Sequence, residues 1–446
     1  MQYVFPKDLY TDVRIEHLFS TNISYNLGEL NECKERQYSA AFIRVYDGNR
    51  WYYTSTSDLN TIQTKIDALA KLAAPDVALE KTQIFKNFSA EKGERLIFTG
   101  EEVSKVPLYD KLSFLQSIKP LIEQHTIIKF YMLMYVDEYK VKEFYNSKGA
   151  ESTWDFQRAG FGVVLQMAEA DRQMQDVFQL GETRFDALCG YEEKLTELIK
   201  ECEAFLHEAE AVEPGVYTVV LAPLVSGVFA HECFGHKSES DFMMGDEATK
   251  AEWTIGKRLG SDELSIVESG QVFGLGYVPF DDEGNVATKT YLIKNGVLTG
   301  RLHNAASAAY LGEAVTGNAR ALNYEYEPIV RMTTTFIDNG ASTFERLISE
   351  VENGIYIKGV HHGFGMSTFT LAPSRAYYIK YGKIGKPVNI SVVSGNVFES
   401  LSKVDGIAND MELLSIAIGG CGKMEQTGLP IGMGGPHIRI RDMQVQ

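Results

Sequence analysis

A chain of 446 residues, 44% apolar and 23% charged, has the length for two or three domains and the composition for a sizeable core. Its net charge of -17 argues against nucleic acid and anionic membrane as main partners, since both need a basic footprint. The five cysteines (Cys33, Cys189, Cys202, Cys233, Cys421) include no C-x-x-C pair, which excludes a disulfide framework and points to a reducing compartment. The opening MQYVFPKDLYTDVR has no basic segment followed by an apolar core, so it does not read as a signal peptide. The longest uncharged apolar run, Pro214 to Ala230, is broken by Pro223 and Gly227 and falls short of the ~20 residues a membrane span needs. A soluble, cytoplasmic protein is expected.

Residues 1 to 213 read as an α/β domain. Ala40 to Ser55 predicts a hairpin turned at Asp47-Gly48-Asn49. Helical spacing follows at Leu59, Ile62, Ile66, Leu69 and Leu72, with Ser57 or Asp58 as the cap. A second helix is predicted from Pro107 to Gln124. Strands follow over Thr126 to Asp137, Tyr139 to Asn146 and Ser152 to Gln166, the last two joined by a turn at Ser147-Lys148-Gly149. Glu192 to Glu210 predicts an amphipathic helix with Leu195, Leu198, Ile199, Cys202 and Leu206 on one face. The Glu213-Pro214-Gly215 cluster ends it and marks the expected domain boundary.

Residues 214 to 446 have a different texture, rich in glycine and short β-runs: Val216 to Leu221, Thr288 to Ile293, Ile329 to Ile337, Ile355 to Val360, Arg375 to Ile379 and Val388 to Val393. A short Ala-rich helix is predicted over 301 to 312, a loop over 381 to 387, and a mobile loop over 313 to 327. The fold class expected is therefore α+β, a mixed α/β chain of two domains with a β-rich C-terminal one.

The chemistry centres on His231-Glu232-Cys233-Phe234-Gly235-His236, which follows the Val216 to Leu221 strand. Two histidines flanking a carboxylate resemble the zinc-protease pattern H-E-x-x-H with one residue too many. On a regular helix, positions i and i+5 are about 140° apart, too far to hold one ion. Either the phrase is no ligand pair, or a single π-type turn widens the helix and brings the histidines together. Gly235 suits a backbone that departs from ideal geometry. With a metal bound, Glu232 would take a proton from the attacking water and deliver it to the leaving amine.

The segment VVLAPLVSGVFAHECFGHKSESD resembles the TldD/PmbA family of metallopeptidases, with its H-E-x-x-x-H signature followed by acidic residues. Three more blocks agree in order and spacing: EPIVRMTTT (327–335), GIYIKGVHHGFGMSTFTLAPSRAYYIKYGKIGKPV (354–388) and GGCGKMEQTGLPIGMGGPHIRI (419–440). The resemblance implies a metallopeptidase acting on unfolded or extended peptides. It also implies a dimer, either a homodimer or a heterodimer with a paralogous subunit. Carried over by position, His231, His236 and Cys421 are the implied metal ligands and Glu232 the catalytic glutamate. Two imidazoles and a thiolate favour Zn2+ over Mg2+ or Ca2+. The chain departs from the commoner pattern at His361-His362 and Met366-Ser367, and carries Thr334 where Asn is usual.

Cys233 reads as a small core residue and Cys202 as unreactive between two glutamates. Glu239 and Asp241 read either as a solvent-facing acidic pair or as a support for a ligating imidazole. His361 and His362 read as loop histidines, with carbonyl polarisation as the alternative; His303 and His437 read as structural. Two other functions stay open at this point, a non-hydrolytic peptide-binding subunit and a structural metal site in an interaction protein.

Overall fold

The computed structural model describes residues 3–446. The N-terminal half is built on one seven-stranded sheet. Strands β1 (Tyr10–Asn26) and β2 (Glu29–Tyr46) form a long hairpin through a two-residue turn, Leu27-Gly28, both at positive φ. That turn matches the right-handed twist of the strands it joins. The expected second hairpin adds β3 (Trp51–Thr56), and Asp47 Oδ1 accepts the Asn49 and Arg50 N–H groups in its turn. Strands β4 (Lys92–Arg95), β5 (Ile128–Asn146), β6 (Glu151–Glu169) and β7 (Arg172–Glu182) complete the order β3-β2-β1-β5-β6, with β4 and β7 both paired to β6.

Three helices occur where helices are expected: α1 (Ile62–Ala70), α2 (Leu108–Glu123) and α3 (Tyr191–Glu208). Of the spacing read for α1, Ile62, Ile66 and Leu69 are buried on it, whereas Leu72 lies beyond its end and is exposed. Asp58 caps a short 3-10 turn that precedes α1. The expected apolar face of α3 is buried and shares a core with α2 and the β5–β6 pair. Two predicted strands merge into the single 19-residue β5. Glu138, which looked like a break, is paired with Lys140 at 3.0 Å and Arg158 at 3.1 Å on a covered face. Strand β1 was not anticipated, although Val13 and Ile15 alternate with Asp12, Arg14 and Glu16; what alternation does not reveal is that these polar residues are buried as well.

The C-terminal half holds two larger sheets. In the first, β8 (Gly215–Leu221) runs parallel to Asn353–Gly365 and antiparallel to Ile438–Val445. Val393–Asn396 and Thr368–Lys380 continue from there, and pairing of Thr368–Lys380 back onto Asn353–Gly365 closes a five-stranded ring. The second is a six-stranded sheet that includes Ile266–Ser269, Thr334–Ile337, Gly432–Gly435 and Glu412–Ser415. One apolar cluster joins both sheets.

Residues 381 to 387 are not a loop: Tyr381-Gly382 is the turn, and Lys383–Asn389 is a strand. The predicted strand over 388 to 393 is interrupted, since pairing stops at Asn389 and resumes at Val393. The segment after the Ala305–Leu311 helix is anchored rather than mobile. Ala319 and Ala321 donate to Asp281 and Asp282, and Leu322 donates to Gln426. The five cysteines form no disulfide among the described residues, and no described helix is long and apolar enough to cross a membrane.

The halves meet through buried charge and close backbone approach. Asp282 accepts from Lys142 at 2.6 Å and lies 3.9 Å from Arg14, while Glu283 pairs with Arg44 at 3.3 Å. On β6, a Cβ at Gly160 would stand 2.1 Å from the Ala417 methyl, so glycine is what lets the 416–420 loop rest on the N-terminal sheet. That loop leads directly into Cys421.

Candidate metal centre and cleft

The site begins at the carboxyl end of β8. Ala222 is extended, and Pro223 opens helix α4 (Pro223–Val228) at its first position, where a missing N–H costs nothing. The helix then widens into a π-turn, Phe229–Gly235, and the His236 N–H bonds to the His231 carbonyl. This i→i+5 bond supplies the widening that the His231–His236 spacing requires. The two rings stand 5.0 Å apart, centroid to centroid, at 78°. Gly235 has ordinary helical angles, φ -57° and ψ -53°, so its role is not the unusual backbone expected of it. It makes space: a Cβ there would meet Met332 Sδ at 2.1 Å.

Cys421 comes from the far end of the chain. Gly419 and Gly420, at φ 94° and 145°, turn the backbone into the Cys421–Lys423 strand. Arg331, fully buried, donates to the Cys421 carbonyl at 2.7 Å and to the Gln426 carbonyl at 3.1 Å, pinning both strands of this hairpin. One ligand-type atom from each of His231, His236 and Cys421 lies within 4.8 Å of the others, and Cys421 Sγ is 3.4 Å from His236 Nε2.

The electrostatics suit a cation. Burial by itself pushes the Cys421 thiol up, but His231 and His236 outweigh it and bring it down to about 4. Burial by itself pushes the His236 imidazole down, yet its bonds to Cys421 and Glu239 raise it to about 10. His231 is buried, and its Nδ1 has no hydrogen-bond partner in the protein. A soft thiolate, two imidazoles and an unpaired buried nitrogen fit a divalent transition metal, zinc above all.

Glu239 and Asp241 do not face solvent. Glu239 is fully buried with Oε2 3.3 Å from His236 Nδ1 and 3.2 Å from Lys423 Nζ. Burial raises its carboxyl, but Lys423 and His236 leave the net value below the ordinary carboxylate range. Asp241 accepts from Lys423 and from the Val330 N–H. Lys423 and Arg331 are the two residues the sequence reading passed over. No local signal marks them, because Lys423 and its carboxylates lie some 180 residues apart.

Cys233 is buried in the apolar core, as expected. Cys202 is also buried, its thiol pushed well up by burial and by Asp176. His303 bonds to Ser240 and Glu313, and His437 to Asp410, both structural settings. His361 and His362 are exposed, but on a strand rather than a loop.

Glu232 is partly exposed, at 26%, and opens onto a cleft of about 750 Å³ between the two halves. One wall comes from β7 and α3, including Asp176, Phe178 and Leu198. The other includes Leu224, Val228, Met433, His361 and His362. Glycine at 363 and 365 lets the Asn353–Gly365 strand close on Glu232: a Cβ at Gly365 would stand 2.8 Å from the Glu232 carbonyl oxygen.

Residues 214–446 match the PmbA/TldA metallopeptidase C-terminal domain, and residues 11–74 match PmbA/TldA metallopeptidase domain 1. The chain belongs to the PmbA/TldD family of metallopeptidases. Metalloprotease slr0863 of Synechocystis sp. is 42% identical over 239 residues, which cover 52% of this chain and 50% of that protein. The match thus spans about half the length of that relative. A metalloprotease of Methanothermobacter thermautotrophicus is 28% identical over 447 residues, covering 98% and 95% of the two chains. Among solved structures, TldE from Thermococcus kodakarensis superposes with a TM-score of 0.77 at 15% identity, covering 98% of this chain and 96% of that one. At that identity the likeness speaks to the fold alone.

Proposed function

We propose that this family member is a zinc-dependent peptidase that hydrolyses unfolded or extended peptides in the cleft between two domains, residues 1–213 and 214–446. The observation that carries the reading is the convergence of His231, His236 and Cys421 beside a partly exposed Glu232. These three side chains would hold the ion. When bound, zinc supplies a Lewis acid that polarises a carbonyl and lowers the pKa of water. Glu232, at the cleft edge, takes the proton of the attacking water as general base and returns it to the leaving amine. Glu239 keeps the His236 ring oriented through Nδ1. The cleft walls, apolar at Leu198, Leu224, Val228 and Met433, bind the peptide chain. The complete ligand set speaks against a subunit that only binds peptides for a partner enzyme.

The working form is read as a cytoplasmic dimer, either of two identical chains or with a paralogous subunit. The test is hydrolysis of an unfolded peptide by the purified chain. Activity is expected to disappear with chelator and return with Zn2+. Glu232→Gln is expected to lower kcat by at least the 10²–10⁴-fold of a lost general base while metal content stays unchanged. Full activity of that variant would sink the mechanism, and a folded wild type that takes up no metal would sink the site.

A further inference from the structure

Lys423 follows Cys421 by two residues and is 5% exposed. Its ammonium donates to both Asp241 oxygens, at 2.7 and 2.8 Å, and to the Val330 carbonyl at 2.9 Å, and it stands 3.2 Å from Glu239 Oε2. The same Glu239 oxygen faces His236 Nδ1. Glu239 and Asp241 lie on the segment just after the π-turn, whereas Lys423 and Cys421 share one short strand. Lys423 is therefore the side chain on the Cys421 strand that reaches the support of His236.

We propose that Lys423 is a positioning residue that locks the two halves of the metal centre together, holding the Glu239 carboxylate in place against His236 from the strand that carries Cys421. The inference rests on the reading of His236 and Cys421 as ligands. Without the ammonium, the Glu239 oxygen that faces His236 Nδ1 loses its contact with the Cys421 strand. The carboxylate is then no longer held toward the ring, and His236 loses the bond that sets its orientation. Loss of such a partner weakens metal binding ~10–100-fold. A lysine that only pinned the fold would change stability and leave affinity alone.

The test uses the full chain, with Zn2+ affinity measured by chelator competition and the thiolate-to-metal absorption band of the Co2+ form as a second readout. Lys423→Met is expected to lower Zn2+ affinity ~10–100-fold at temperatures well below its Tm and to shift the Co2+ band. Glu239→Gln is expected to lower affinity comparably. Adding Lys423→Met to Glu239→Gln is expected to cost no more than about a further twofold, since the lysine acts through the glutamate. If Lys423→Met does not fold, Lys423→Gln, which keeps a donor but not the charge, takes its place. A folded lysine variant within about twofold of wild type overturns the proposal, as do losses that multiply in the double variant. A wild type that binds neither metal overturns the metal reading itself, and this proposal with it.

Discussion

With the Cys421 thiol brought down to about 4, by His231 first and then His236, and the His236 imidazole raised to about 10, a thiolate–imidazolium pair is the expected form of the metal-free protein at neutral pH. Metal uptake must then expel the His236 proton, not the thiol proton. Affinity is expected to rise about tenfold per pH unit up to about 10 and to fall more steeply below about 4, where the thiolate also protonates. Calorimetry in buffers of different ionisation enthalpy reads this as proton release on metal binding at pH 7. The same shifts act on metal-free stability. The His236 share is complete below the unfolded imidazole value of 6.5 and fades as pH rises through about 10. The Cys421 share is complete above the unfolded thiol value of 9.0 and fades as pH falls through about 4. Denaturant titration of chelator-treated protein should show stability falling toward both limits, and a flat profile would contradict the pair.

The π-turn is the element on which the site depends. It adds one residue to the turn between the histidines without ending the helix, and the neighbouring strands accept the wider turn by giving up side chains. Gly235 yields to Met332, and Gly363 and Gly365 yield to Glu232. Gly235→Ala is expected to force Met332 aside and cost ~1–3 kcal/mol, as overpacking of a filled core does. Chemical denaturation measures it, and Met332→Ala in the same chain should recover part of the loss. An unchanged denaturation midpoint in Gly235→Ala would show that this contact is slack.

At the scale of the whole molecule, function depends on how firmly the two halves are joined, because the cleft has one wall from each. Asp282 is a central link. Burial raises its carboxyl, but Lys142 and Arg14 reverse this and leave it at about 2. Asp282→Asn leaves Lys142 and Arg14 buried without their counter-charge and is expected to destabilise by ~3–5 kcal/mol in a urea titration. In the wild type the Asp282 contribution is present above the unfolded value of 3.8 and lost as pH falls through about 2, while burial brings its partner Lys142 down to about 8, so the Lys142 arm of the link weakens as pH rises past that value.

Local sequence determined much of this protein. Apolar spacing marked α1 and α3, the Asp47-Gly48-Asn49 turn marked its hairpin, and the five-residue step from His231 to His236 called for a widened helix if both were to hold one ion. Those features are written within a few residues of chain, where backbone geometry alone decides. Alternation in β1 marks a strand but reads its polar residues as solvent-facing, whereas Arg14 is buried by contact with the other half. Cys421 entered only through resemblance, and Lys423 and Arg331 not at all, since their partners lie far along the chain and no spacing rule reaches them. The HECFGH phrase carries two of the ligand-type side chains and the glutamate. Tertiary structure alone decided how the Cys421 strand meets them, because a close approach across some 180 residues is made by packing and buried charge, not by local geometry.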